Sequence, residues 1–119
     1  MPHRQDIAAL STAVQLIFDE GVDSCYQGHA RIADYRRNRL LEIGYCIFPA
    51  PVAIPYPTVT AIYVPERISW QDLDYRSRQH RLVVGGNYGA LAEKVFRIGH
   101  IETQADMSLE RRLWTLQRR

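Results

Sequence analysis

The chain has 119 residues, of which 46% are hydrophobic and 24% are charged, as in an ordinary globular domain. Its net charge of +2 is too small to indicate a nucleic-acid partner. No apolar run approaches the length that spans a membrane, and the N-terminus lacks a signal-peptide core, so we expect one cytoplasmic domain over residues 1–119 that binds neither nucleic acid nor membrane.

The N-terminal segment predicts a helix with one apolar stripe. Gly21 follows this segment where a helix C-cap is expected. The apolar residues that recur at helical spacing are Ile7, Leu10, Val14, Ile17 and Phe18.

A second, longer helix is predicted to follow, with Asp23 or Ser24 as its N-cap and Gly44 at its end. Its apolar residues are Tyr26, Ala30, Ala33, Leu40 and Leu41. The polar side carries Arg31, Asp34, Arg36, Arg37 and Asn38. We expect this charged side to be solvated, although its arginines are also candidates for contact with a partner chain.

The middle of the chain predicts two strands separated by a loop. Residues 45–48 form a short apolar strand, and four prolines within residues 49–57 exclude a helix or a central strand there. Residues 58–64 are rich in β-branched and aromatic side chains and predict a second strand, which Pro65 ends.

Ser69 and Asp72 resemble a capping box for a helix over residues 70–80, in which Leu73 faces the core. Residues 82–84 and 94–98 predict two more strands, and Asp106 is expected to cap a last helix. That helix repeats leucine at positions Leu109, Leu113 and Leu116. The order of elements predicts an α+β fold with a small, mostly antiparallel sheet and helices packed on one face.

Arg97 is the strongest candidate for a binding residue. It lies between Phe96 and Ile98 on a predicted strand, so its side chain points to the opposite face from theirs. A guanidinium held on a strand can bind a planar carboxylate through two parallel hydrogen bonds. The alternative is an arginine that simply covers the solvent face of an amphipathic strand.

The turn that precedes Arg97 contains Gly85, Gly86 and Gly89. It lacks the Gly-Lys-Ser/Thr of a P-loop and the glycine spacing of a dinucleotide-binding turn. We therefore expect the three glycines to permit positive φ in a tight connection.

The string Gly-Gly-x-x-Gly at residues 85–89, followed by Lys-Val-Phe-Arg-Ile-Gly-His at residues 94–100, resembles the C-terminal signature of class V PLP-dependent aminotransferases. The similarity is to the serine–pyruvate and alanine–glyoxylate branch and extends from about Ile7 to Leu116. It implies that Arg97 binds the α-carboxylate of an amino-acid or 2-oxo-acid substrate. It also implies that Gly85, Gly86 and Gly89 shape the substrate pocket.

In that family the lysine that carries pyridoxal phosphate belongs to a preceding large domain, which is not visible in this sequence. The only lysine here, Lys94, is not at the position of that residue. The resemblance thus implies a C-terminal small domain that is inactive alone, with no catalytic residue and no bound cofactor of its own. Its expected partners are a small carboxylate substrate, a large-domain chain and further copies of itself.

The chain departs from the family pattern at Glu93, where glycine is usual, and at Ile101 and Glu102. Glu102 is a candidate ion-pair partner that would compete with substrate for Arg97.

Two other functions are open: a free-standing module that binds small carboxylates without chemistry, and an assembly subunit that uses an exposed apolar surface. His100 is either a hydrogen-bonded structural group or a general base. His29 and His80 have no partners at the spacing of a metal site, and Cys25 and Cys46 are expected to be reduced thiols.

Overall fold

The computed structural model describes residues 3–101. Its elements in chain order are helix α1 (Arg4–Glu20), helix α2 (Val22–Glu42), strand β1 (Val59–Tyr63), helix α3 (Trp70–Gln79) and strand β2 (Val95–Gly99). A short 3-10 turn, Gly89–Leu91, precedes β2. Glu102, Trp114 and the predicted last helix from Asp106 to Leu116 lie outside the described residues.

The sheet is built on an antiparallel pair of strands. β1 pairs with β2 so that Ala61 lies opposite Arg97 and Ile62 opposite Phe96. Single bridges extend the sheet on both sides, from Ile47 to Ile62 and from Gly85 to Arg97. This arrangement of helices around a small antiparallel sheet confirms the predicted α+β fold.

Of the two predicted outer strands, residues 45–48 are reduced to the single bridge at Ile47, and residues 82–84 form no bridge, since only the next residue, Gly85, pairs. Phe48 still donates a backbone hydrogen bond to the Ala61 carbonyl, but Pro49 follows at once and has no amide hydrogen to continue the ladder. On the other side the side chain of Val83 is 74% exposed, and pairing begins only at Gly85. The loop predicted over residues 49–57 is confirmed, since it contains neither helix nor strand.

The core lies on the inner face of the sheet, where β2 places Phe96 and Ile98 by alternation. The residues that complete this cluster are Leu40, Tyr45, Ile62, Leu73, Leu82 and Val84. Full burial of a side chain such as Phe96 contributes on the order of 2 kcal/mol to stability.

Helix α3 begins as predicted. The Ser69 hydroxyl accepts a hydrogen bond from the Asp72 backbone amide at 3.1 Å, and the Asp72 carboxylate accepts one from the same hydroxyl at 2.9 Å. Leu73 then points into the core. The N-cap half of the predicted capping box therefore forms, while the Asp72 carboxylate binds the Ser69 hydroxyl rather than the Ser69 backbone amide.

Helix α2 differs from the prediction at its start and on its charged side. It begins at Val22 with Gly21 (φ +89°) as its N-cap and has no side-chain cap, so the assignment of Asp23 or Ser24 as the cap was wrong. Arg36 is only 4% exposed and donates a hydrogen bond to the Gly99 carbonyl at 3.2 Å. The end of β2 packs beside α2, and a long arginine side chain can reach this carbonyl while its stem covers apolar surface.

Helix α1 forms over the predicted residues, but none of its residues is buried. Leu10 is 64% exposed and Phe18 is 67% exposed. The apolar stripe of α1 therefore faces away from the core of residues 3–101. No helix in that part of the chain is both long and apolar enough to cross a bilayer.

Candidate carboxylate-binding site

Arg97 is held by backbone pairing on both sides. Its amide donates to the Gly85 carbonyl at 2.7 Å, and the Gly85 amide donates to the Arg97 carbonyl at 2.9 Å. On the other side it lies opposite Ala61 of β1. Phe96 and Ile98 are buried on the inner face, so the Arg97 side chain extends from the outer face, where it is exposed.

One edge of the Arg97 guanidinium is fixed by the glycine turn. Its Nη2 donates to the Gly86 carbonyl at 2.9 Å. This contact uses one of the five N–H donors of the group, and no other side-chain hydrogen bond of Arg97 is made to a residue within 3–101. A Cβ at Gly85 would lie 3.8 Å from Nη2, so the missing side chain leaves the guanidinium accessible from that side.

The three glycines of the turn have different roles. Only Gly89 has positive φ, +59°, so the conformational explanation holds for Gly89 and was wrong for Gly85 and Gly86. Gly86 permits a close approach instead, whereas a Cβ at Gly85 would make only ordinary contacts of 3.8–3.9 Å with Arg97. A Cβ at Gly86 would come within 3.0 Å of Cζ2 of Trp70, which means that the indole occupies the space a side chain would need.

Small residues flank Arg97 on the outer face, and an aromatic pair lies beyond them. Gly85 and Ala61 are the neighbours of Arg97 across the sheet, and the next residue in this row is Phe48, which bonds to Ala61. The Phe48 and Tyr63 rings meet edge to face with centroids 5.4 Å apart. Phe48 lies two strand spacings from Arg97, which is about 10 Å, and Tyr63 lies on the adjacent strand opposite Val95.

Lys94 lies just before β2, and its backbone carbonyl accepts a hydrogen bond from the Val64 amide at 2.8 Å. It is three residues from Arg97, so alternation directs the two side chains to opposite faces. The preceding residue, Glu93, has φ +62°, and its carboxylate accepts a hydrogen bond from Gln71 at 2.6 Å. Among the described residues, Lys94 and Arg97 therefore do not converge on one site that would fit a lysine-bound cofactor.

His100 is a buried structural group. It is 1% exposed, its Nε2 lies 3.0 Å from the Thr60 hydroxyl, and its amide donates to the Thr58 carbonyl. Burial, aided by the positive charges of Arg36 and Arg37, lowers the pKa of His100 to about 4. Within residues 3–101 its Nδ1 makes no well-formed hydrogen bond, although the Pro57 carbonyl acts to favour the protonated ring. A ring enclosed in this way cannot reach a substrate. Of the two alternatives for His100, the hydrogen-bonded structural group therefore holds and the general base does not.

Cys25 and Cys46 are free thiols, as predicted. Within residues 3–101, no three or more histidine, cysteine or acidic side chains are grouped closely enough to hold a metal ion.

No protein-family model matches the chain. The alanine–glyoxylate aminotransferase of Oryctolagus cuniculus is 33% identical to it over 94 residues, which are 78% of this chain and 24% of the relative. The crystal structure of an alanine–glyoxylate aminotransferase from Nostoc sp. superposes with a TM-score of 0.80 and 30% identity over 90% of this chain and 28% of the other. The chain is a homologue of the class V aminotransferases.

The serine–glyoxylate aminotransferase of Arabidopsis thaliana extends the similarity within the class V aminotransferases. It is 31% identical over 109 residues, which are 91% of this chain and 27% of the relative. The chain thus spans about a quarter of the length of these PLP-dependent enzymes and corresponds to their C-terminal small domain.

Sequence reasoning found Arg97 and the glycine turn, and the structure brings them together through the contacts of Gly85 and Gly86 with Arg97. The contact of Trp70 with Gly86 was not predicted from the sequence. The only signal in the sequence was the position of Trp70 directly after the helix cap Ser69.

Proposed function

We propose that this chain is the small domain of an aminotransferase and that Arg97 binds the carboxylate of a small amino-acid or 2-oxo-acid substrate. The observation that carries the proposal is the guanidinium itself, which is exposed on the outer face and fixed at one nitrogen by Gly86. A fixed, planar donor group recognises a carboxylate bidentately, whereas a mobile arginine would have to be ordered on binding.

The role of Arg97 in amino transfer is to orient the substrate. Two parallel hydrogen bonds determine where the carboxylate lies and therefore in which direction the Cα–H bond points. The glycine turn shapes the approach to Arg97. Gly85 and Gly86 carry no side chain that would cover the guanidinium, and Gly89 turns the chain. Each hydrogen bond to the charged groups contributes about 1.5–3 kcal/mol.

The catalytic groups come from elsewhere under this proposal. The described residues do not build a site for pyridoxal phosphate around Lys94, and the homologues are several times longer than this chain. A large domain, on the same polypeptide or on a partner chain, supplies the lysine and the cofactor. The chain alone transfers no amino group.

The test is to join the chain to the large domain of the Oryctolagus cuniculus relative, in place of the segment that it matches, and to measure amino transfer from alanine to glyoxylate. We expect activity in the fusion and none with the chain alone. Arg97→Ala should raise KM for alanine at least about tenfold, because a charged, bidentate contact is lost. Unchanged transamination by the Arg97→Ala fusion would refute the role of Arg97.

A binding experiment separates this function from its alternative. Pyruvate is titrated into the full chain and into its Arg97→Ala variant, and binding is detected by NMR. Binding that depends on Arg97, together with an inactive fusion, would favour a small-carboxylate module without chemistry. An active fusion favours the aminotransferase domain.

A further inference from the structure

Trp70 packs against the glycine turn whose Gly86 carbonyl binds the Arg97 guanidinium. It is the first residue of α3, directly after the cap residue Ser69, and it is partly buried against the core. Its ring is stacked at a tilt of 31° on Phe96, with centroids 6.3 Å apart. Because Phe96 is fully buried and immediately precedes Arg97, the indole is held against the strand that carries the guanidinium.

The other contact of the indole is with Gly86. A Cβ at Gly86 would lie 3.0, 3.3 and 3.6 Å from three atoms of the indole, so the ring occupies the place of the missing side chain. Separations of 3.0–3.3 Å are tighter than ordinary Cβ contacts, so alanine at this position would require the ring or the turn to shift by a few tenths of an ångström. The indole thus determines where the Gly86 peptide lies.

The Gly86 peptide in turn fixes Arg97, since its carbonyl accepts the 2.9 Å hydrogen bond from Nη2. We propose that Trp70 is a positioning residue: through Gly86 it locks one edge of the Arg97 guanidinium and so presents the remaining donors to a carboxylate. The presentation of donors to a carboxylate rests on the proposed function. The fixed position of the Arg97 guanidinium does not, and it can be measured without any ligand.

The locking is tested in the isotopically labelled full chain by NMR of the Arg97 guanidinium, whose signals are identified by their loss in Arg97→Lys. Gly86→Ala should speed rotation of the guanidinium, because the carbonyl moves away when the methyl group meets Trp70. Gly86→Ala combined with Trp70→Phe should restore slow rotation, because the smaller ring leaves room for the methyl group. Gly28→Ala is the matched control, since a Cβ at that position meets nothing within 4 Å.

Pyruvate affinity is measured in the wild type, Gly86→Ala, the double variant and Gly28→Ala. We expect Gly86→Ala to weaken binding by about tenfold, the scale of one charge-assisted hydrogen bond, and the double variant to recover most of it. Gly28→Ala should bind as the wild type does. Recovered affinity in the double variant is the decisive result. If Trp70→Phe acted only on stability, it would destabilise the fold further and would not restore binding.

Rotation that stays slow in a folded Gly86→Ala chain, or a double variant without recovery, would overturn the inference. If Gly86→Ala does not fold, Trp70→Phe alone decides: faster rotation of Arg97 supports the locking, and unchanged rotation refutes it. If rotation responds as expected but pyruvate does not bind even to the wild type, the locking stands and the proposed carboxylate function fails.

Discussion

His100 shows how a single buried side chain can make stability depend on pH. The ring is enclosed near two arginines, and burial is the main cause of a pKa of about 4, well below the ordinary value of 6.5. The folded chain therefore resists protonation of this ring, whereas the unfolded chain takes up the proton near pH 6.5. Acid should accordingly favour the unfolded state.

We predict that the free energy of unfolding falls as the pH is lowered from about 6.5 to 4. Over this range the unfolded state binds more protons than the folded state, and the full difference in pKa, 6.5 against about 4, corresponds to at most about 3 kcal/mol. Below pH 4 both states are protonated at His100 and its contribution no longer changes. The measurement is urea unfolding at a series of pH values.

His100→Gln isolates this effect, because glutamine can keep a polar contact with Thr60 but does not titrate. Its stability should depend less on pH between 6.5 and 4 than that of the wild type. His80→Gln, at an exposed position, is the control and should retain the wild-type dependence. Equal slopes for wild type and His100→Gln would show that His100 is not the group responsible.

The individual side chains differ in how far the sequence predicts them. The outward direction of Arg97 follows from strand alternation, a local rule, and was correct. The burial of Arg36 could not be inferred locally, because its partner, the Gly99 carbonyl, is 63 residues away along the chain. The contact of Trp70 with Gly86 likewise depends on how α3 packs against the turn.

At the scale of single elements, α3 offers a direct measure of what a cap contributes. Ser69→Ala removes the hydroxyl that accepts the Asp72 amide and should lower the free energy of unfolding by about 1 kcal/mol. Chemical denaturation of the wild type and the variant measures this difference. Because α3 begins with Trp70, the loss should also loosen the end of the helix that supports Gly86.

Ser24→Ala is the matched control for Ser69→Ala. The sequence suggested Ser24 as a cap, but α2 begins at Val22 and takes no side-chain cap. Alanine at position 24 should leave stability unchanged or raise it slightly, since alanine is the better helix former. A loss as large as that of Ser69→Ala would mean that Ser24 does cap α2.

The helices and the central strands were predictable because their signals are local: apolar periodicity, a capping box and β-branched runs. The outer strands were overpredicted, because an apolar segment of three or four residues forms a ladder only if a partner is available along its whole length. Residues 45–48 find a partner for a single bridge at Ile47, and residues 82–84 find none, since pairing begins at Gly85. Strand extent is thus set by tertiary context, which periodicity does not contain.

For the whole molecule, the main feature is the apolar stripe of α1, whose residues are 41–67% exposed. We predict that the isolated chain self-associates through this stripe. Leu10→Gln with Ile17→Gln should weaken association at least about tenfold, because burial of each side chain contributes about 1.5–3 kcal/mol. Sedimentation equilibrium of the full chain measures the change.

Ala9→Gln with Thr12→Gln, on the opposite side of α1, is the control and should leave association unchanged. Equal association of the wild type and the Leu10→Gln, Ile17→Gln variant would show that the stripe is not the contact surface. In the fusion with a large domain, association through α1 should disappear if that domain covers the stripe.

The borders of the sheet have a consequence for how the chain meets other chains. Each central strand is flanked by a segment that pairs at one residue only, Ile47 on one side and Gly85 on the other. A long, regular edge presents a row of unpaired amides and carbonyls that can template the addition of foreign strands, and short irregular edges suppress such growth. Contacts between copies should therefore form through side chains, and amyloid-like stacking of this sheet is disfavoured.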